Sequence, residues 1–188
     1  MVSDVRDKMV DGAIRLLATR GLAGTSFSDV LQLTGAPRGS IYHHFPNGKD
    51  ELIAAAVDRS AATAVNVLEQ RAGRPADEVA ELFLDTWRLL LTHTGFEAGC
   101  ALVAVTVDTD SEDLRAHTAA AFLVWRESLV RLLAQGGLST DAAERFAALL
   151  LSASEGAVVL SRAGRDIATF DLVADTLLRQ LRAELAAA

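Results

Sequence analysis

Helix breakers set close together place the tightest constraint on this chain. Gly35 and Pro37 on one side and Pro46 on the other leave room for a helix of only about two turns, the residues RGSIYHHF. Within it Ile41 and Phe45 fall one turn apart and form its apolar edge. That edge is predicted to be buried, leaving Arg38, Gly39, Ser40, Tyr42, His43 and His44 outside. A helix this short is marginal alone, so neighbouring helices must support it.

The flanking sequence supplies them. A first helix is expected over 4–20, where Met9, Ala13 and Leu16 with Val10, Ile14 and Leu17 repeat at helical spacing, and Gly21 is its left-handed stop. A second starts after Ser26, which with Asp29 makes a Ser-x-x-Asp capping box, and turns Phe27, Val30 and Leu31 inward before ending at Thr34-Gly35. Pro37 opens the short third helix, since its missing N–H is tolerated in a first turn, and Pro46 ends it. Asn47 caps a fourth helix over 48–71, with Asp50 in support.

Beyond the Gly73-Arg74-Pro75 break, helices are expected over 76–94, 100–108, 111–135, 141–162 and 171–187. The run ALVAVTV over 101–107 is equally compatible with a buried strand, and its helical surroundings decide for helix. The fold class is therefore all-α, about nine helices, with a helix-turn-helix head over 1–48 and a body over 49–188, the helix over 49–71 connecting them. The residues from Phe146 to Leu160 are apolar on nearly every face and need cover on all sides, which suggests a partner.

Charge is distributed unevenly. The whole chain has a net charge of -7. Up to Lys49 there are six basic and four acidic residues, giving +2; the remainder carries twelve against twenty-one, giving -9. Only the head approaches phosphate without repulsion. A lone cysteine, Cys100, makes neither an intrachain disulfide nor a thiolate metal site, which points to a reducing compartment. The first nine residues lack a signal-peptide core and no apolar run approaches 18 residues, so a cytoplasmic protein without a membrane partner, metal or cofactor is expected.

A short exposed helix behind a tight turn fits the major groove, with its flanks on phosphate. Arg38 reaches a guanine edge or a phosphate; Ser40, Tyr42, His43 and His44 serve phosphates or bases. Thr25, Ser26, Phe27 and Pro37 complete the expected surface, and Lys49 stands at a helix N-terminus that attracts anions. Ser26 is equally read as a plain cap and Lys49 as a solvated lysine. Gly39 costs about 1 kcal/mol in a helix interior relative to Ala; either close approach to DNA or close packing on the second helix accounts for it.

The run TSFSDVLQLTGAPRGSIYHHFPNGKDELIAAAV, Thr25 to Val57, resembles the DNA-binding head of TetR-family regulators, above all in GSIYHHF followed by Lys-Asp-Glu-Leu. GCALVAVTVDTDSEDLR and EGAVVLSRAGRD are similar to the LmrA/YxaF-like branch. The resemblance implies a repressor of drug-resistance or efflux genes: an Ω-shaped homodimer with a ligand pocket in each body and a four-helix bundle formed by the last two long helices and their mates. Pro37 departs from the capping serine that many relatives have.

Phe83, Trp87, Leu90, Cys100, Val103, Val107, Phe122 and Trp125 are the candidates for the ligand site, with plain core packing the alternative for each. Phe146, Leu150, Ala153, Ala157, Leu160, Leu177 and Leu181 are the candidates for the dimer interface. The acidic run Asp108, Asp110, Glu112 and Asp113 is either a cation site or a solvated loop. The expected partners are an inverted-repeat duplex, a second copy of the chain and a small-molecule effector. An effector that shifts the fourth helix spreads the two heads out of register. Two rivals stand beside this reading: an enzyme using Cys100 with His93 or His117, and an architectural or adaptor protein that senses nothing.

Overall fold

The computed structural model describes residues 2–187, and among them it is helical with no strand. Its elements are α1 (Val2–Arg20), α2 (Phe27–Thr34), α3 (Arg38–His44), α4 (Lys49–Glu69), α5 (Ala76–His93), α6 (Ala101–Asp108), α7 (Glu112–Gln135), α8 (Thr140–Gly164) and α9 (Ala168–Ala187). The expected helix order holds, including the helix over ALVAVTV. Ends move by one to three residues, α9 starting at Ala168 instead of Asp171.

Two compact units emerge, one made of 1–62 with 100–122, the other of 63–99 with 123–188. By compactness, residues 49–62 and 100–122 thus go with the head, whereas a division after residue 48 is one of motif. Both α4 and α7 begin in the first unit and end in the second.

In the first unit Met9, Val10, Ala13, Leu16 and Leu17 of α1, Val30 of α2, Ile41 and Phe45 of and after α3, and Leu52, Ile53, Ala56 and Val57 of α4 are all buried. Gly35 closes α2 in the left-handed conformation, φ 67°, its N–H donating to the Leu31 carbonyl at 2.9 Å. Glu51, not Asp50, reaches back to the turn before α4 and accepts the Asn47 N–H at 3.0 Å.

In the second unit α8 packs on α9 and both pack on α5. Phe146, Leu150, Ala157, Leu177 and Leu181 are buried there, and Arg88 of α5 bridges to Asp171 of α9 at 2.8 Å. The dimer-interface expectation needs correction on this point: those five residues fill the protomer's own core. Of the seven, Leu160 is exposed and Ala153 half-buried. The outward stripe of α8 is Leu149, Ser152, Gly156, Val159, Leu160 and Ala163. By length and composition α8 also meets the test for a membrane-crossing helix, contrary to the expectation that no such run exists, yet α5 and α9 cover its inner face.

At the turn between α7 and α8 the backbone runs against the start of α5. The Gly136 carbonyl accepts the Ala76 N–H at 3.0 Å, and a Cβ on Gly136 would lie 2.4 Å from that nitrogen and 2.7 Å from the Arg74 carbonyl oxygen. Backbone cannot yield as a flexible side chain does. Gly136→Ala is therefore expected to destabilise the protein by about 1–3 kcal/mol, seen as a lower urea midpoint; an unchanged midpoint would show that the turn relaxes freely.

Candidate nucleic-acid interface

The α3 surface follows from two pins. Ile41 and Phe45 are fully buried, and the Arg6 guanidinium lies over the Phe45 ring, 5.2 Å from its centroid. The opposite face is thereby turned outward. Pro37, Arg38, Gly39 and His43 are exposed, Tyr42 is 68% exposed, and Ser40 and His44 are half-buried. Tyr42 meets Phe27 edge-on at 5.7 Å, so α2 and α3 share a small aromatic contact at the rim of this surface. The His43 and His44 rings stand 5.3 Å apart. Pro37 caps α3 with no side-chain hydrogen bond, as its chemistry requires, while the Ser40 hydroxyl donates to the Pro37 carbonyl at 2.6 Å.

Three of the expected contact residues have structural occupations. Thr25 is 1% exposed, and its hydroxyl donates inward to the Gly21 carbonyl at 2.8 Å; the expectation of a Thr25 hydroxyl offered to phosphate is corrected accordingly. A threonine here completes the turn after α1. Ser26 is the cap of α2: its side chain accepts the Asp29 N–H at 3.1 Å, its own N–H donates to Asp29 Oδ2 at 3.1 Å, and its hydroxyl also bonds that carboxylate. The Ser26 hydroxyl and backbone N–H hold the Asp29 carboxyl below its ordinary value. Lys49 is half-buried and donates from Nζ to the Leu22 carbonyl at 2.9 Å, which corrects its reading as a freely solvated lysine.

Gly39 shows the clearest signal. It sits inside an exposed helix, and a Cβ built on it meets nothing within 4 Å. Packing on α2 therefore does not explain it.

The head is fastened to α4 as well. Arg59 bonds the Asp7 carboxylate and backbone carbonyl and reaches Asp11 Oδ1 at 3.0 Å. Burial opposes the Arg59 charge, but the hydrogen bonds to Asp7 and Asp11 carry its value upward. The sequence offered no cue for this tie, since the residues are about fifty positions apart.

Of the ligand candidates, Phe83, Trp87 and Trp125 come together in the second unit, all buried, with ring centroids 5.7 Å apart for Phe83 and Trp125 and 6.1 Å for Trp87 and Trp125. Leu90 is half-buried in that unit. Cys100, Val103, Val107 and Phe122 belong to the first unit. Cys100 is buried, Val103 and Phe122 half-buried, and Val107 is 77% exposed, so its reading as pocket lining is corrected. The apolar run of α6 has no polar face to fix its rotation, which is why periodicity misjudged Val107.

Among the described residues no three His, Cys, Asp or Glu side chains are gathered as a metal would need. Asp108 of the acidic run accepts the Ala23 N–H at 2.9 Å, and His117 Nε2 lies 2.8 Å from Asp58 Oδ1.

A capped helix, a left-handed glycine turn and a short helix with an exposed outer face make a helix-turn-helix motif. Residues 9–56 match the bacterial regulatory proteins of the tetR family, and residues 75–176 match the C-terminal domain of LmrA/YxaF-like transcriptional regulators. An uncharacterized HTH-type transcriptional regulator of Mycobacterium tuberculosis (strain ATCC 25618 / H37Rv) is 37% identical over 187 residues, covering 96% of this chain and 95% of the relative. In fold, the chain is similar to regulatory protein TetR from Rhodobacter sphaeroides, with TM-score 0.82, 18% identity and coverage of 92% of this chain and 96% of that one. A transcriptional regulator FadR from Bacillus subtilis in complex with stearoyl-CoA gives TM-score 0.69 at 16% identity, over 93% and 96% of the two chains. The chain belongs to the TetR family, in its LmrA/YxaF-like branch, and is a DNA-binding transcriptional regulator, not an enzyme.

Because open space surrounds Gly39, Gly39→Ala is expected to raise the stability of the free protein by about 0.5–1 kcal/mol while weakening operator binding. Thermal melts and duplex titrations check the two halves; a variant that gains stability and binds DNA as tightly as before would remove the role assigned to the glycine.

Proposed function

We propose that the chain is a repressor that holds an inverted-repeat operator as a homodimer and is released by a small hydrophobic or drug-like effector. Gly39 carries the DNA half of this reading: a residue in the first turn of α3 with no neighbour inside the protomer that a side chain would meet, on the face that Arg38, Tyr42 and His43 share. Backbone close to a duplex supplies the reason. Arg38 serves as the base or phosphate reader, and Tyr42, His43, His44 and Ser40 as supporting donors. Ser26 contributes at most from its capped position, and Lys49 through the electrostatic field of the head. A bacterial cytoplasm is the setting this implies.

A parallel observation supports the dimer. Gly156 lies mid-helix on the outward stripe of α8, and a Cβ there also meets nothing within 4 Å. With Val159 and Leu160 exposed beside it, the stripe fits a second copy whose helix approaches closely. Leu172, 71% exposed on α9, extends the apolar surface available for burial.

The effector reading draws on the aromatic group Phe83, Trp87 and Trp125 and on the branch to which the C-terminal part belongs, with control of efflux or resistance genes as its consequence. The stearoyl-CoA found in the FadR neighbour is compatible with an apolar ligand of this kind. Arg59 ties α4 to α1, so an effector that displaces α4 carries the head with it, and a coupling of about 1–3 kcal/mol lowers operator affinity 5- to 150-fold.

Two measurements test the parts separately. Arg38→Ala is expected to weaken operator binding by about 1–3 kcal/mol while leaving random DNA less affected; equal loss on both duplexes would make Arg38 a phosphate contact only. Leu160→Glu is expected to turn the dimer into monomers in sedimentation and to lower operator affinity; a dimer of unchanged strength would move the interface elsewhere.

A further inference from the structure

One peptide group in the head is held by opposite charges at its two ends. Lys49 Nζ donates to the Leu22 carbonyl at 2.9 Å, and Asp108 Oδ2 accepts the N–H of the next residue, Ala23, at 2.9 Å. The Leu22–Ala23 amide thus has a cation on its negative end and an anion on its positive end. Hydrogen bonds of this charge-assisted kind are the stronger ones.

The two side chains come from different helices. Lys49 opens α4 and Asp108 is the last residue of α6. The peptide they hold lies in the short loop joining α1 to α2, where the Leu22 carbonyl also accepts the Thr25 N–H at 3.2 Å and the Thr25 hydroxyl donates back to Gly21. Ser26 follows at once as the cap of α2. The position of this one amide therefore sets where α2 begins, and α2 braces α3.

We infer that Asp108 is a positioning residue for the DNA-binding head, through which the C-terminal end of α6 holds the α1–α2 loop in its binding arrangement. The inference rests on reading the head as a DNA reader and adds a route of regulation to it. Hydrogen bonds fail beyond about 3.5 Å, so a modest withdrawal of the last turn of α6 leaves the loop held by Lys49 alone. The tie is thus a point where a change felt by α6 reaches the head without passing along α4.

The sign of the effect separates this role from general electrostatics. Removing an acid from the unit that faces DNA relieves repulsion from phosphate and strengthens binding. Removing Asp108 is expected to do the reverse. In titrations of the protein on its operator duplex, Asp108→Ala raises Kd about 3- to 10-fold, whereas Asp110→Ala, two residues on and, like Asp108, exposed, leaves Kd unchanged or lowers it. Asp108→Asn keeps a carbonyl acceptor and falls between. The double variant Lys49→Met with Asp108→Ala loses less than the sum of its parts, because both side chains hold one peptide.

Amide exchange of Ala23, measured without DNA, gives the second readout. It loses protection in Asp108→Ala and keeps it in Asp110→Ala. If Asp108→Ala binds the operator as tightly as wild type or more so, the positioning role is overturned, whatever the exchange shows; unchanged exchange at Ala23 overturns the tie itself. A wild-type protein that binds no duplex overturns the DNA-binding reading, and that failure is told apart because the exchange measurement needs no DNA.

Discussion

The burial of Ile41 and Phe45, one turn apart on a two-turn helix, decides what this protein can do. With that edge fixed against α1 and α2, the rest of α3 is turned outward, Ser40 and His44 only in part, and the sequence places there an arginine, a tyrosine and two histidines. Burying two such side chains is worth about 3–6 kcal/mol relative to leaving them in water, far more than a seven-residue helix gains from its own hydrogen bonds. The outward face of α3, the proposed reading surface, is therefore a by-product of core packing. Its rigidity comes from the helices behind it, joined by the Arg59 bridges to Asp7 and Asp11 and by the bonds on the Leu22–Ala23 amide.

Two glycines, Gly39 on α3 and Gly156 on α8, show where the protomer stops accounting for its own sequence. Gly39 sits in the first turn of α3 and Gly156 midway along α8, each with open space where a side chain would be. Glycine is a poor helix residue, and the proposed function gives each an outside partner, a duplex for one and a second protomer for the other. By contrast Gly136, pressed against the backbone at Ala76, is fully explained from within.

Much of this was legible in the sequence, for physical reasons that differ by region. Capping signals are local, so Ser26 with Asp29, Gly35 and Pro46 fixed α2 and α3 almost to the residue. Amphipathic spacing located the core of α1 and the exposed face of α3. Reading failed where periodicity was absent: α6 and α8 are apolar nearly all round, so neither the outward turn of Val107 nor the inward turn of Phe146, Leu150 and Ala157 was visible. Contacts made across long stretches of chain were also hidden. Nothing near Lys49 or Asp108 announces that both bind one peptide, and Thr25 looks like any loop threonine until its hydroxyl is seen to close the turn after α1.

The most direct test of the central claim, that α3 presents a reading surface used twice by a symmetric pair, is selection of bound duplexes from a random DNA pool by the purified protein. An inverted repeat with half-sites about 34–36 Å apart or somewhat more is the predicted outcome, and substitution of Arg38 should relax it at one position per half-site. Recovery of no shared sequence, or of a single unrepeated site, would contradict the account.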